Sequence, residues 1–285
     1  MNRPIDNPPL LPRPFLKWAG GKRQLLSELM PRINAAEPFE RYHEPFVGGG
    51  ALFFELTRLN KLEEREAHLS DQNEHLADAY CGLREDVEGL IELLFEHKRQ
   101  HSKEYYLAVR QTIPEALTAR AARIIYLNKT CFNGLFRENS KGLFNVPMGR
   151  YQNPRICDEP NLRACAEALR HATIQTRSFE TILDHAKAGD LVYFDPPYHP
   201  LSKTASFTKY AKDDFGEDDQ RRLAEVFHEL TKRKVKVLLS NSMTDFICGL
   251  YDKPGVTIEE VLAKRCVNSR ADRRGKISEA LIRNF

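Results

Sequence analysis

Asp195 closes an apolar run in LVYFDPPYHP (Leu191–Pro200) and is followed at once by Pro196, Pro197 and Tyr198. A strand that ends in a carboxylate and enters a rigid turn can hold an acceptor and an aromatic face at a fixed separation. Ionised Asp195 accepts hydrogen bonds only. Pro196 contributes its carbonyl as a second acceptor and has no N–H to compete. Two acceptors suit an exocyclic amine with two N–H groups, and Tyr198 can stack on the flat ring that bears it. An aromatic amine is a poor nucleophile because its lone pair is spread into the ring. Holding both hydrogens out of the ring plane localises that pair, so the nitrogen can attack an electrophilic carbon directly. Positioning and electrostatics then supply most of the acceleration, and no covalent enzyme intermediate is needed.

A second group points to what sits beside that amine. EPFVGGGALFFEL (Glu44–Leu56) is a strand end, three glycines and a helix start. Glycine opens backbone angles closed to other residues and lets a ligand approach the main chain. In a doubly wound sheet this first turn borders the cofactor crevice, and an acid about 20 residues on serves ribose hydroxyls. Asp71, in HLSDQN, stands at that interval from Gly48. Phe46, Gly48, Gly50 and Asp71 are therefore candidates for holding a nucleoside cofactor. WAGGKRQ is not a P-loop, because Leu16 stands where its first glycine belongs, and Phe53 replaces the last glycine of a dinucleotide fingerprint. None of the six cysteines follows a proline, as the nucleophile of a cytosine-C5 enzyme would. The cysteines form no CxxC pair, which argues for reduced thiols in a cytoplasmic protein. His97 and His101 have metal-ligand spacing but lack the glutamate of HExxH, so they are read as a solvated basic face, with no metal expected.

The elements that must position these groups alternate as in an α/β protein. Leu25, Leu26, Leu29 and Ile33 recur at helical spacing after a glycine turn, and a long helical region is expected from Glu74 to about Gln100. Lys129–Arg155 has no sustained period and reads as loops and short strands. From Asn161 onward helix and strand alternate again. ATIQTR, GDLVYF and VKVLLSNS read as strands, and DDFGEDDQRRLAEVFHEL as a helix with acids in its first turn. ISEALIRNF is a closing edge or hairpin strand. Strand–helix–strand runs at both ends around an irregular insert predict an α/β sheet interrupted by a second domain.

Composition bounds the function. The chain of 285 residues is 41% hydrophobic and 29% charged, with no apolar run long enough for a membrane span. Net charge is only +3, but between Tyr105 and Arg155 eight Lys or Arg face two acids. Lys264, Arg265, Arg270, Arg273, Arg274 and Lys276 form a second cluster against Asp272 alone. Two basic patches on a near-neutral chain suit a phosphate backbone. The first fifteen residues carry five prolines and read as an extended arm rather than a secretory signal.

FLKWAGGK, EPFVGGGALFF, FNGLFRENSKGLFNVPMGRY and FDPPYHPLSKTASFTKY, in that order, resemble the Dam-type DNA adenine-N6 methyltransferases, from Phe15 to Phe285. The resemblance implies a mostly parallel Rossmann-like methyltransferase sheet with an inserted, mainly helical and loop target-recognition domain. It divides the chain into an arm (1–14), catalytic parts at 15–75 and 166–285, and a target-recognition domain at 76–165. It implies S-adenosylmethionine as cofactor and transfer of methyl to N6 of an adenine flipped out of duplex DNA, within GATC; the target atom cannot be reached inside the stack. By the same resemblance Trp18 and Lys22 join Asp71 and Asp195 at the cofactor, and Asp195 is the catalytic acid. Tyr198 holds the adenine, with Pro196 and Pro197 shaping the loop. Lys17 and Arg137 match residues that read guanines, the latter by a bidentate pairing to O6 and N7. Leu135 and Pro147 match apolar base contacts and Asn133 a contact near the site. Phe132 stands where a wedging tyrosine is common. Arg110, Lys129, Arg150 and Tyr151 are the phosphate candidates. A cytoplasmic monomer or weak dimer on DNA is expected, with a cognate restriction endonuclease as an open partner. The same chemistry on RNA, and a DNA-binding regulator without activity, are the alternatives.

Overall fold

The computed structural model describes residues 11–18, 20–201, 215–264 and 276–285. A 3-10 turn, Lys22–Gln24, leads into α1 (Leu26–Ala35), and β1 (Tyr42–Glu44), α2 (Ala51–Arg58) and β2 (Ala67–Asp71) make the first β–α–β unit. Next come α3 (Glu74–Glu85), α4 (Val87–Gln100), α5 (Lys103–Gln111) and α6 (Leu117–Thr130). After an irregular stretch the chain forms α7 (Glu159–Leu169), β3 (Ala172–Thr176), a 3-10 helix at Phe179–Asp184 and β4 (Leu191–Phe194). It finishes with α8 (Glu217–Lys232), β5 (Lys236–Ser242), α9 (Asp245–Tyr251), β6 (Thr257–Lys264) and β7 (Lys276–Arg283).

The seven strands lie in the order β3-β2-β1-β4-β5-β7-β6. Every pairing from β3 across to β5 is parallel, and β7 alone runs against its neighbours β5 and β6. The predicted mostly parallel α/β sheet is therefore the fold. The chain winds outward from β1 to β3, then restarts at β4 on the other side of β1. That reversal opens a crevice beyond the carboxyl ends of β1 and β4, the usual ligand position of such a sheet. The glycine turn follows β1 and Asp195 follows β4, so the topology brings both to this crevice.

Burial explains the strand sequences. LVYF of β4 is buried at every position because apolar layers cover both faces, Leu191 and Tyr193 on one, Val192 and Phe194 on the other. β2 and β3 are half-exposed and alternate accordingly.

Two expectations need correction and a third is narrowed. The helical region from Glu74 is two helices, because Asp86 leaves helical angles (φ −148°, ψ 74°) and its side chain caps α4 by accepting from Gly89 N at 3.0 Å. The last strand is one arm of a hairpin but lies inside the sheet. β6, from TIEEVLAK, forms the edge and carries too little apolar alternation to be seen in sequence. His97 and His101 do not form a solvated face, since their Nδ1 atoms bond the hydroxyls of Tyr105 and Tyr126 at 2.8 and 2.9 Å.

Cys131 bridges Met148, and Glu138 bridges Phe144, in the short antiparallel pairings of the irregular stretch. The described end of the proline arm docks on α7, where Arg13 pairs with Asp158 at 2.6 Å and Asn161 bonds both backbone groups of Arg13. The arm's first ten residues, Cys266 and most of the second basic cluster, from Arg265 to Arg274, lie outside the described residues. Among the described residues no helix is long and apolar enough to cross a membrane.

β1 ends in Glu44, which is 2% exposed. Tyr42 OH donates to it at 2.8 Å and the backbone N–H of Phe53, in the first turn of α2, donates as well. Burial nevertheless pushes its carboxyl up to about 8, with the charge of Asp195 adding to the shift. The folded protein thus binds a proton that the unfolded chain releases above the ordinary carboxylate range. The stability tied to that proton is full at low pH and is lost as pH rises through about 8. Glu44→Gln keeps an acceptor for Tyr42 and removes the titration. Between pH 5 and pH 9 the variant should gain on the wild-type protein by a few kcal/mol, roughly, in paired denaturant melts. A pH-independent difference would contradict this.

Candidate active site

Asp195 sits at the first position past β4, where the strand's apolar register places its carboxyl in the crevice. Lys22 Nζ lies 2.8 Å from Oδ1, and Ser240 Oγ in β5 donates to the same oxygen at 3.0 Å. Among the described residues no hydrogen bond reaches Oδ2 or the carbonyl of Pro196, whereas the carbonyl of Pro197 is taken by Gln220 Nε2 at 2.8 Å. Burial raises the Asp195 carboxyl above its ordinary range, and the ammonium of Lys22 opposes that rise. Tyr198 donates its hydroxyl to Glu279 of β7 at 2.7 Å, and Lys22 Nζ lies 4.1 Å from its ring centroid. Lys22, only 8% exposed, therefore touches both the carboxylate and the ring.

The loop is held from below by a polar network at the end of β5. Asn241 accepts from His199 N at 3.1 Å and donates to Gln220 at 3.0 Å, and Ser242 Oγ donates to the carbonyl of His199 at 2.6 Å. Ser240, Asn241 and Gln220 are fully buried. Sequence reading missed these residues and Glu279. The one signal, for Ser240, Asn241 and Ser242 alone, is that VKVLLSNS, an apolar strand, turns polar at three consecutive positions.

The glycine turn lies alongside. Gly48 N donates to Asp71 Oδ2 at 3.1 Å and Asn73 N donates to Oδ1 at 3.0 Å. Burial raises the Asp71 carboxyl, against the pull of these backbone donors. Gly48 and Gly50 hold left-handed angles (φ 48° and 65°). A Cβ on Gly48 would come within 3.0 Å of Trp18, and one on Gly50 within 2.6 Å of the Tyr80 hydroxyl. Trp18 covers this turn on one side and meets Phe136 at 5.5 Å on the other; Phe46 stacks on Phe179 at 5.4 Å. Trp18, Lys22, Gly48, Gly50 and Asp71 thus converge with Asp195, and Phe46 packs at the rim.

The remaining candidates form an exposed group reached through Lys17. Lys17 Nζ lies 4.7 Å from the Tyr151 ring, and Phe132, Leu135 and Tyr151 are among the few large apolar side chains left exposed. Asn133 is left-handed (φ 56°) in the turn between Phe132 and Leu135. The exposed Pro147 accepts from Phe132 N at 2.8 Å, and Arg137 donates to the side chain of Asn145 at 2.5 Å. Arg150 is exposed. Two candidates are less open than expected. Arg110 is half-buried and donates to the carbonyl of Val146 at 3.2 Å, and burial pushes the ammonium of Lys129 down to about 8.

Sheet order, glycine turn and strand-end carboxylate define an α/β protein with one crevice beyond β1 and β4. The sequence model of the D12 class N6 adenine-specific DNA methyltransferases matches residues 18–267, and the chain belongs to that family. It is 44% identical to the Type II methyltransferase M.MjaIII of Methanocaldococcus jannaschii, covering 96% of this chain and 99% of that one. It is 42% identical to the Type II methyltransferase M1.LlaDCHI of Lactococcus lactis subsp. cremoris, covering 96% and 95%. The DNA adenine methylase of Vibrio cholerae is 36% identical over 94% of this chain and 95% of its own. The protein is an adenine-specific DNA methyltransferase.

The Lys22–Asp195 pair makes a direct prediction. Lys22→Met removes the ammonium that lowers the Asp195 carboxyl and leaves burial unopposed. Asp195 should then titrate at higher pH than in the wild-type protein, read from its carboxyl carbon by NMR. An unchanged or lower midpoint would show that the pair does not control the carboxylate.

Proposed function

We propose that this chain transfers methyl from S-adenosylmethionine to N6 of adenine in duplex DNA, within GATC, on a base turned out of the helix. The observation that carries the reading is the open acceptor pair at the end of β4. Oδ2 of Asp195 and the carbonyl of Pro196 are free of protein donors among the described residues, next to the Tyr198 ring. An amine with two N–H groups satisfies both acceptors, and Tyr198 supplies the stacking face. Ser240 and Lys22 occupy Oδ1 and oppose the rise that burial causes, so the carboxyl group presents its other oxygen.

The residues around the glycine turn suit the cofactor. Burial disfavours the charge of the Asp71 and Asp195 carboxyls, so added positive charge there is favourable. When bound, S-adenosylmethionine supplies a methyl group on a cationic sulfur. Asp71 would take ribose hydroxyls, Trp18 and Phe46 would provide apolar cover, Gly48 and Gly50 would allow close backbone approach, and Lys22 would border the cofactor beside Asp195.

We assign residues 15–75 and 166–285 to catalysis and 76–165 to target recognition. Lys17 and Arg137 would read guanines, Leu135 and Pro147 would make apolar base contacts, Asn133 would lie near the site, and Phe132 would wedge between bases. Exposed Arg150 and Tyr151 suit phosphates directly, while half-buried Arg110 and Lys129 suit shorter-range support of the same strand. We place the enzyme in the cytoplasm at the nucleoid, as a monomer or weak dimer on DNA. Two of the relatives are named Type II methyltransferases, which favours a paired restriction endonuclease.

The test uses labelled S-adenosylmethionine and short duplexes with one GATC site intact or altered at each base in turn. Label confined to adenine of the intact site is expected. Label in another sequence would overturn the target, label on structured RNA alone would move the reaction to RNA, and binding without label would favour a regulator. Asp195→Ala should cut methyl transfer by about a thousandfold or more and leave DNA binding within a few-fold. Full turnover in that variant would sink the mechanism.

Arg137→Ala tests readout separately. It should cost about 1–3 kcal/mol and relax one base position. A loss equal across all sequences would mean that Arg137 contacts phosphate.

A further inference from the structure

Asn128 lies in α6 and is 3% exposed, outside both the crevice and the exposed group. Its side chain nevertheless joins the two segments that carry that group. Oδ1 accepts from Lys17 N at 2.8 Å, and Nδ2 donates to the carbonyl of Lys17 at 2.7 Å and to the carbonyl of Gly134 at 3.1 Å. One amide thus holds both backbone groups of Lys17 and the centre of the Phe132–Leu135 turn, at a sequence separation of 111 residues for the first pair. Asparagine alone fits this role, because it offers an acceptor and two donors on one short plane.

The contact it fixes is tight. Gly134 has φ 65°, and a Cβ there would stand 2.7 Å from the Cβ of Lys17. Lys17 therefore has no slack toward the turn, and Asn128 prevents it from moving away. What emerges is a surface with one cation and three exposed apolar or aromatic side chains, Lys17, Phe132, Leu135 and Tyr151, whose spacing is set from beneath. Such a surface suits stacked bases and phosphates. Five residues after Lys17, Lys22 reaches Asp195. The intervening loop has its own anchor, since Gly21 N donates to the carbonyl of Trp18 at 3.1 Å.

We propose that Asn128 is a positioning residue for target selection: it fixes Lys17 against the Phe132–Leu135 turn, so that the two read one DNA sequence as a unit. The assignment rests on the DNA methylation proposed above. Base readout depends on hydrogen-bond geometry far more than on net charge, so loosening the clamp penalises the correct sequence and leaves altered sequences nearly untouched.

Three variants test it. Asn128→Ala removes all three bonds. Asn128→Asp keeps the shape and the acceptor for Lys17 N, but faces two carbonyls with an oxygen. Gly134→Ala leaves Asn128 intact and pushes the turn away from Lys17, so it bears on the same spacing if the first two fold poorly. For each, kcat/KM is measured on the wild-type protein's preferred duplex and on duplexes with one base pair changed, beside cofactor affinity by calorimetry and the melting temperature. The ratio of preferred to altered kcat/KM should fall by about tenfold, with cofactor affinity kept within about twofold of wild type. A uniform loss on every duplex with the ratio unchanged would make Asn128 merely structural and overturn the assignment. Wild-type protein that labels no duplex would overturn the reading beneath it and this assignment together.

Discussion

The structure depends on compensating one carboxyl group whose charge burial works against. Asp195 ends a strand whose residues are all buried, and burial raises its carboxyl. Its side chain is only 19% exposed, so the protein adds counterweights of its own: the ammonium of Lys22 and the hydroxyl of Ser240, both on Oδ1. Placing both partners on one oxygen has a geometric consequence. The other oxygen remains an acceptor with a fixed direction, and the carboxylate cannot rotate without losing its charge compensation. Asymmetry, rather than charge alone, is what the arrangement creates.

That constraint accounts for much of the fold around it. Lys22 comes from the segment before α1, Ser240 from β5, Glu279 from β7 and the glycine turn from β1, so the site is assembled from distant parts of the chain. Only a sheet in which β1 and β4 are neighbours can bring them to one crevice. The strand order provides this, because the winding reverses at that point. The polar ends of β5 and α8 then serve the DPPY loop. Asn241 and Gln220 are buried with their hydrogen-bonding groups engaged, which rigidifies the loop without leaving a buried polar atom to be desolvated unpaired.

How much of this was legible in sequence follows from the range of each interaction. Asp195, Pro196, Tyr198, Gly48 and Asp71 stand out because a polar or flexible residue interrupts an apolar run, which is a local signal. β4, β5, α7 and α8 were readable for the same reason. β6 was not, since consecutive glutamates, Glu259 and Glu260, and the consecutive apolar Val261, Leu262 and Ala263 break any alternation, and its partner β7 was placed in a hairpin but not inside the sheet. The break at Asp86 was hidden because its cap depends on one side chain in a stretch otherwise good for helix. Lys22 on Asp195 and Asn128 on Lys17 act across more than forty residues with nothing in their own neighbourhoods to mark them, and Ser240 is marked only by the polar end of an apolar strand. Half-burial of Arg110 and Lys129 is likewise a tertiary fact that composition cannot express.

The short run from Lys17 to Lys22 ties these levels together. Its first residue is exposed beside Tyr151, its second covers the glycine turn, and its last pairs with Asp195. Without anchors, a displacement of this segment would be felt at the outer surface, at the cofactor turn and at the carboxylate alike, because six residues leave little chain to absorb it. The protein responds by anchoring the segment at three separate points. Asn128 holds Lys17, Gly48 seats Trp18, and Asp195 receives Lys22. Glycine is required at Gly48 and Gly134 for the same reason, since a methyl group at either would wedge the segment away from its seat. Anchoring at three points also separates the tasks. Each anchor fixes one residue independently, so a force on Lys17 is taken up by Asn128 and need not displace the ammonium beside Asp195.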